Sequence, residues 1–265
     1  MWSLLMALAL PEASATTYAK VMDLDELTTS ASAVVTGTVE SAWSYERDGL
    51  IWTRVGLDIE DSLLGTTSRH ISLEVIGGTV DGVSLTVPGA PQFEVGGDVL
   101  VFLDGDQLVG FGQGAFALGE GIASRGLGPL LPEGPSDFNV KERLPSLDQS
   151  SDCLQPKVWA DYSEGWTLRG VSHTLAQNGE IVVDSLQLMP GLEYRFQVCG
   201  DQHLGGIETY IVDADGQVAD QFGITGREGL LNFVARDDEY SLVIRARDLP
   251  STAVGTSLSI SVAYR

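Results

Sequence analysis

Apolar residues recur at every second position along most of this chain. Ile51, Thr53, Val55, Leu57 and Ile59 alternate with Trp52, Arg54, Asp58 and Glu60, the pattern of a strand with one buried face. The Val- and Thr-rich run from Ala33 to Tyr45 predicts a partner strand; Ile71/Leu73/Val75 and Val83/Leu85/Val87 predict two more. Val99 to Leu103 is continuously apolar, as expected of a strand buried on both faces. Asp48-Gly49, Asp81-Gly82 and Asp104-Gly105 suit tight hairpin turns. Ahead of the strands, Asp23 is placed to cap a short helix carrying Leu24, Leu27 and Ala31, with Asp25 and Glu26 in its first turn, where acidic side chains favour the helix dipole. Long strands with interior glycines, Gly37 and Gly56, predict an OB-like β-barrel over residues 16–118, since glycine permits sharp bending.

Between Gly119 and Asp152 the alternation fails, and Gly, Ser, Pro129, Pro132, Pro135 and Pro145 dominate. This predicts a Pro/Gly-rich linker over 119–152. Strand patterns resume at Trp166/Leu168, Ile181–Val183, Tyr194/Phe196/Val198, Tyr210–Val212, Phe233, Tyr240/Leu242/Ile244 and Leu258/Ile260/Val262/Tyr264. Many short strands with Gly and Asp turns predict a jelly-roll-like β-sandwich over 153–265. In the last strand, serines at 257, 259 and 261 alternate with apolar neighbours. The expected fold class is therefore all-β.

The amino-terminal run Trp2–Leu10 is apolar and precedes Pro11 and Ala13-Ser14-Ala15. That layout reads as a signal peptide over residues 1–15, although no Lys or Arg precedes the run. A mature chain starting at Thr16 would be secreted or periplasmic, and the paired Cys153 and Cys199 fit a disulfide in such a compartment. A two-cysteine metal site is the competing idea, but there is no CxxC spacing and His70, His173 and His203 are scattered. Composition adds one exclusion. Lys+Arg number 15 against 37 Asp+Glu, a formal charge of -22, which repels phosphate backbones and argues against nucleic acid as a partner. No second apolar run approaches membrane length, so membrane insertion is not expected.

Nucleophile elbows, P-loops, zinc-protease helices and dinucleotide turns are missing from the sequence, and neither catalysis nor a bound cofactor is expected. Asp213, Asp215 and Asp220 offer the hard oxygen donors that Ca²⁺ takes, but a plain Asp-Gly hairpin turn explains the same residues. The most informative local feature is the hairpin at Asp48-Gly49. A two-residue turn pairs Tyr45 with Trp52 and Trp43 with Arg54, making Trp52, Arg54 and Tyr45 a candidate binding surface. One extra residue would instead set Val39 opposite Ile59, drive Trp43 inward and leave Trp52 alone outside. Trp52 is expected outside in either register.

Residues Leu24–Leu118 resemble the netrin-like OB-fold class that includes tissue inhibitors of metalloproteinases. The matching segments are Ala33-Val34-Val35-Thr36-Gly37-Thr38-Val39, Ser62-Leu63-Leu64-Gly65 and Phe93-Glu94-Val95-Gly96-Gly97-Asp98-Val99-Leu100-Val101-Phe102-Leu103. Zinc chelation by an N-terminal cysteine does not carry over, because the first half has no cysteine. Gly112-Gln113-Gly114-Ala115-Phe116 is similar to the first domain of exported bacterial proteins. The second half resembles the bacterial pre-peptidase C-terminal β-sandwich through Pro190-Gly191-Leu192-Glu193-Tyr194-Arg195-Phe196, Tyr210-Ile211-Val212-Asp213-Ala214-Asp215-Gly216 and Asp238-Glu239-Tyr240-Ser241-Leu242-Val243-Ile244. These resemblances imply an exported binding or accessory protein with a protein or glycan partner. A protease-associated role is the alternative. A carbohydrate-binding sandwich is a third reading, to be judged by whether Trp159 and Trp166 share an exposed groove.

Overall fold

The computed structural model describes residues 20–65, 68–125 and 135–265; the expected signal peptide lies outside them. Helix α1 (Leu24–Ser30) starts at Asp23, whose carboxylate accepts from the Glu26 backbone N–H while the Glu26 side chain accepts from that of Asp23. This reciprocal cap satisfies two amide groups that the first turn would otherwise leave unpaired. The first half continues through β1 (Ala33–Arg47), β2 (Leu50–Leu64), β3 (His70–Ile76), β4 (Gly78–Val80), β5 (Val83–Leu85), β6 (Asp98–Asp104), β7 (Gln107–Leu108), β8 (Ala115–Gly119), β9 (Ile122–Ser124) and β10 (Phe138–Asn139).

These strands form one antiparallel sheet in the order β10-β9-β8-β6-β1-β2-β3, with β7 on β6 and a separate β4-β5 hairpin. The expected OB-like barrel is not closed. β10 and β3 end the path without pairing to each other, and β6 pairs only the first part of β1, Ala33–Thr38. The run Val83–Val87 likewise gives only the three residues of β5, with Val83 exposed. Where β1 and β2 bend, the ladder slips between Thr36 and Gly37 and again between Val39 and Ser41. A side chain at Gly37 would meet the Asp58 carbonyl at 2.3 Å, so only glycine permits this approach. Core packs on both faces of β6: Leu100 and Phe102 join α1, while Val99, Val101 and Leu103 join Val35, Val55 and Leu73.

The described part of the expected linker holds the end of β8, β9, β10, helix α2 (Val140–Arg143) and the start of α3 (Leu147–Ser163). Helix α3 was hidden in the sequence by its weak apolar stripe and by Pro156 inside it, since proline has no N–H to give the helix. Its cap is Ser146, whose hydroxyl accepts from the Gln149 N–H.

The second half contains β11 (Thr167–Ala176), β12 (Ile181–Gln187), β13 (Glu193–Gly200), β14 (Gly206–Asp213), β15 (Val218–Thr225), β16 (Glu228–Val234), β17 (Glu239–Arg247) and β18 (Thr256–Tyr264). Two four-stranded antiparallel sheets, β11-β18-β13-β16 and β12-β17-β14-β15, make the eight-stranded double Greek key of a jelly roll. Phe196, Ile207, Ile211, Leu242 and Leu258 fill the space between them. The outer, serine-bearing face of β18 does not meet solvent. Ser257, Ser259 and Ser261 are buried, and the Ser150 hydroxyl on α3 lies 3.1 Å from that of Ser257 and 2.8 Å from that of Ser259.

Two ties hold α3 in place. Cys153 on α3 is bonded to Cys199 on β13, which closes a loop worth about 4 kcal/mol in the chain-entropy account. At the helix start, the fully buried Asp201 carboxylate accepts from the N–H groups of Ser146, His203 and Ser257 and from the Thr256 hydroxyl, at 2.7–2.9 Å. Helix α3 also touches the first half, where Asp148 accepts from the Ser62 N–H at 2.9 Å. Burial pushes the Asp148 carboxyl above its ordinary range. Replacing Asp201 strands four buried donors, each costly to leave unpaired. Asp201→Ala is expected to lower the unfolding free energy by at least about 3 kcal/mol, as measured by urea denaturation.

Candidate binding face and neighbouring sites

The hairpin of β1 and β2 turns at Asp48 and Gly49, both with positive φ (54° and 74°), as a tight two-residue turn requires. Tyr45 therefore lies opposite Trp52, and Trp43 opposite Arg54. The extra residue considered from the sequence is present, but it falls at Glu40, beyond Trp43, and sets Val39 opposite Leu57 rather than Ile59. Trp43 is consequently not driven inward; it is 50 % exposed. Trp52, expected outermost, is half-buried, with the Arg47 guanidinium 4.4 Å from its ring centre.

Period two puts Trp43, Tyr45 and Arg47 of β1 on the same face as Trp52 and Arg54 of β2, and β3 adds Glu74 opposite Arg54. Glu74 is the hub. Its Oε1 accepts from the Tyr45 hydroxyl at 2.5 Å and from Arg54 at 2.6 Å, and its Oε2 accepts from Arg47 at 2.7 Å. The Tyr45 hydrogen bond, reinforced by those from Arg54 and Arg47, holds the Glu74 carboxyl down at about 2. Glu74 in turn pushes the Tyr45 hydroxyl above its ordinary pKa by accepting a hydrogen bond from its protonated form. Glu74 is thus a fixed carboxylate at neutral pH and not a proton donor. Arg54 lies 5.3 Å from the Trp43 ring centre, and the Trp43 and Tyr45 rings are 5.2 Å apart, distances typical of cation–π and aromatic pairing. An adjoining groove of about 430 Å³ runs from Arg47 and Trp52 to Pro91 and Phe111. Such a face offers flat apolar rings beside guanidinium donors.

Arg47 and Glu74 were not singled out from the sequence. Both were accessible to parity alone, Arg47 two residues after Tyr45 and Glu74 alternating with Leu73 and Val75.

On the second half, α3 and β11 enclose a groove of about 460 Å³ lined by Val158, Trp159, Tyr162, Trp166 and Leu168. Trp159 is 64 % exposed, whereas Trp166 is buried, its ring 4.3 Å from both the Arg195 and Arg265 guanidinium carbons. Arg195 is itself held by Asp161 and Glu164 at 2.8 and 2.7 Å. The two tryptophans therefore border one groove, but only Trp159 stands out from it.

Of the three aspartates expected as Ca²⁺ donors, Asp213 and Asp215 lie at the turn after β14 and Asp220 lies in β15. Asp213 Oδ1 accepts from the N–H groups of Asp215 and Gln217, Gly216 supplies a φ of 78°, and Asp220 accepts from the Gln221 N–H. Among the described residues no group of three or more His, Cys, Asp or Glu side chains is placed to hold a metal ion. A serine–histidine contact exists between Ser259 Oγ and His173 Nδ1 at 2.8 Å, but Ser259 is fully buried against α3. Burial lowers the affinity of His173 for a proton.

No family model matches the chain, and no curated protein matches it. Among solved structures, the pre-peptidase C-terminal domain of a collagenase from Bacillus anthracis is similar at 15 % identity, over 36 % of this chain and 89 % of that one, with a TM-score of 0.30. The sugar-binding C-terminal domain of EclA is similar at 16 % identity, over 36 % and 78 %, with a TM-score of 0.24. The secreted serine protease VesC from Vibrio cholerae is similar at 8 % identity, over 87 % and 44 %, with a TM-score of 0.27. Likenesses of this depth assign neither family nor activity. The first class is the one the second half resembles in sequence; these likenesses lend no support to the netrin-like resemblance of the first half.

The low proton affinity of Glu74 has a direction in pH. A carboxyl depressed by folding adds stability above its unfolded value, and that stability is lost as pH falls through the folded one. Glu74→Gln should lower Tm at neutral pH, and the difference from wild type should close as the pH drops from the ordinary carboxylate range toward 2, read by thermal melts across that range.

Proposed function

We propose that this chain is an exported, non-catalytic binding protein that engages its partner through the face formed by Trp43, Tyr45, Arg47, Trp52 and Arg54. The observation that carries the reading is the convergence of the Tyr45 hydroxyl and two guanidinium groups on Glu74, with the Trp52 and Trp43 rings against those guanidinium groups and Trp43 half-exposed at the rim. Interface energy concentrates in Trp, Tyr and Arg side chains that are held rigidly, and these are fixed by ion pairs before any partner arrives. Export is supported by the Cys153–Cys199 bond, because such bonds persist in oxidising compartments. The partner is a protein or a glycan, and an accessory role beside a secreted peptidase is included in this reading.

Glycan binding in the groove of the sandwich is a second reading, favoured by the exposure of Trp159 and Tyr162 at 64 % and 72 %. One comparison separates the two. Purified wild type, Trp43→Ala and Trp159→Ala are assayed for retention on soluble and insoluble glycans and for binding to a panel of secreted proteases. The first reading expects Trp43→Ala to weaken binding by about tenfold or more with Tm nearly unchanged and Trp159→Ala to bind normally. Loss confined to Trp159→Ala transfers the function to the sandwich, and equal binding by all three proteins contradicts both.

A further inference from the structure

The two halves of the chain meet through contacts of two chemical kinds. Val254, in the loop between β17 and β18, joins the apolar core that holds Leu24, Phe116 and Leu144, and its N–H donates to the Arg143 carbonyl at 2.8 Å. Neither of these contacts titrates. Between β2 and α3 the contact is acidic. A cavity of about 330 Å³ is bordered there by Glu60 and Asp61 of β2, Asp148 and Asp152 of α3 and Lys141 of α2, four carboxylates to one ammonium among the described residues. The rest of its lining is uncharged, including Thr36 of β1 and Gln202 of the loop after β13.

Asp148 is the carboxylate that crosses this junction, accepting from the buried Ser62 N–H at 2.9 Å. Burial is the largest influence on it and pushes its carboxyl above the ordinary range; the Ser62 hydrogen bond opposes that shift, and repulsion from Asp61 and Asp152 adds to it. In the closed junction a negative Asp148 is therefore both poorly solvated and faced by like charge. One proton removes both penalties. The neutral acid keeps an oxygen that accepts from Ser62 and gains an O–H to donate.

We propose that the junction of β2 with α3 is an acid-closed latch: with a proton on Asp148 the first half is held against α3, and when that proton leaves, repulsion across the cavity loosens β2 from α3 while the Val254 contact keeps the halves joined. A carboxyl that holds its proton more tightly in the closed arrangement than in water contributes stability that is complete below the ordinary aspartate range and is lost as the pH rises through the raised value. The sign is opposite to that of Glu74, whose contribution is lost as the pH falls toward about 2, so the two titrations do not imitate each other.

Hydrogen exchange of the Ser62 amide, expressed as protection relative to the intrinsic rate at each pH, reads the latch in the full chain. In wild type the protection is expected to rise by about twofold or more as the pH is lowered from about 7.5 to about 4.5. Asp148→Asn removes the titrating group and keeps an oxygen that can accept from Ser62, so its protection should be high and level across the same range. Asp152→Asn, one turn along α3 at an exposed position, removes a repelling charge and should confine the rise to lower pH. Protection in wild type that stays level or falls on acidification overturns the proposal, as does the same rise in Asp148→Asn. A profile of Asp152→Asn identical to that of wild type overturns it too, and decides the matter if Asp148→Asn does not fold.

Discussion

The carboxylate of Asp201 accepts four hydrogen bonds in a fully buried position, and most of the second half is organised around them. Its donors come from the start of α3, the loop after β13 and the first residues of β18, three segments far apart in sequence. A buried carboxylate without partners is expensive to keep; with four short bonds it fixes those segments relative to each other. Once the helix start is pinned there, the Cys153–Cys199 bond holds the next turns on β13. Arg195 then bridges strand β13 to the helix end through Asp161 and Glu164.

That clamp explains the chemistry of the covered face. The outer side of β18 carries serines because a helix with its own serines, Ser150 and Ser151, lies on them at hydroxyl-to-hydroxyl distance. Small side chains permit close approach, and each hydroxyl both gives and accepts. The histidine that meets this layer, His173, is therefore a structural partner of Ser259, whose own hydroxyl is buried beneath α3. The first half builds its polar order differently, by placing Glu74 on the edge strand β3, where the neighbouring strands β2 and β1 deliver donors to it from one side. There the ion pairs are exposed to water and stiffen a surface rather than a core.

Much of this was legible from period-two patterning. The alternation in β2, the double-sided burial of β6, the Asp-Gly turns, the cap at Asp23 and the jelly-roll strands all follow from local rules. What failed was non-local. Closure of the barrel depends on whether β3 reaches β10, which no local pattern encodes. Helix α3 buries few large apolar residues, among them Leu147 and Leu154, and contains Pro156, so its helicity is set by the sheet it covers. The hairpin register turned on where a bulge falls: placed at Glu40, it leaves both Trp43 and Tyr45 beside their guanidinium partners and makes Trp43, not Trp52, the outermost ring.

The central claim is that α3 is an integral layer of the sandwich, locked by Asp201 and the disulfide, and not part of a linker. Native-state hydrogen exchange of the backbone amides measures this directly, because helices that open on their own exchange below the global unfolding free energy. The account predicts that the amides of the middle of α3, from Ser151 to Val158, exchange only with global unfolding, together with those of β13 and β18. Fast exchange across α3 while β13 and β18 stay protected would contradict it.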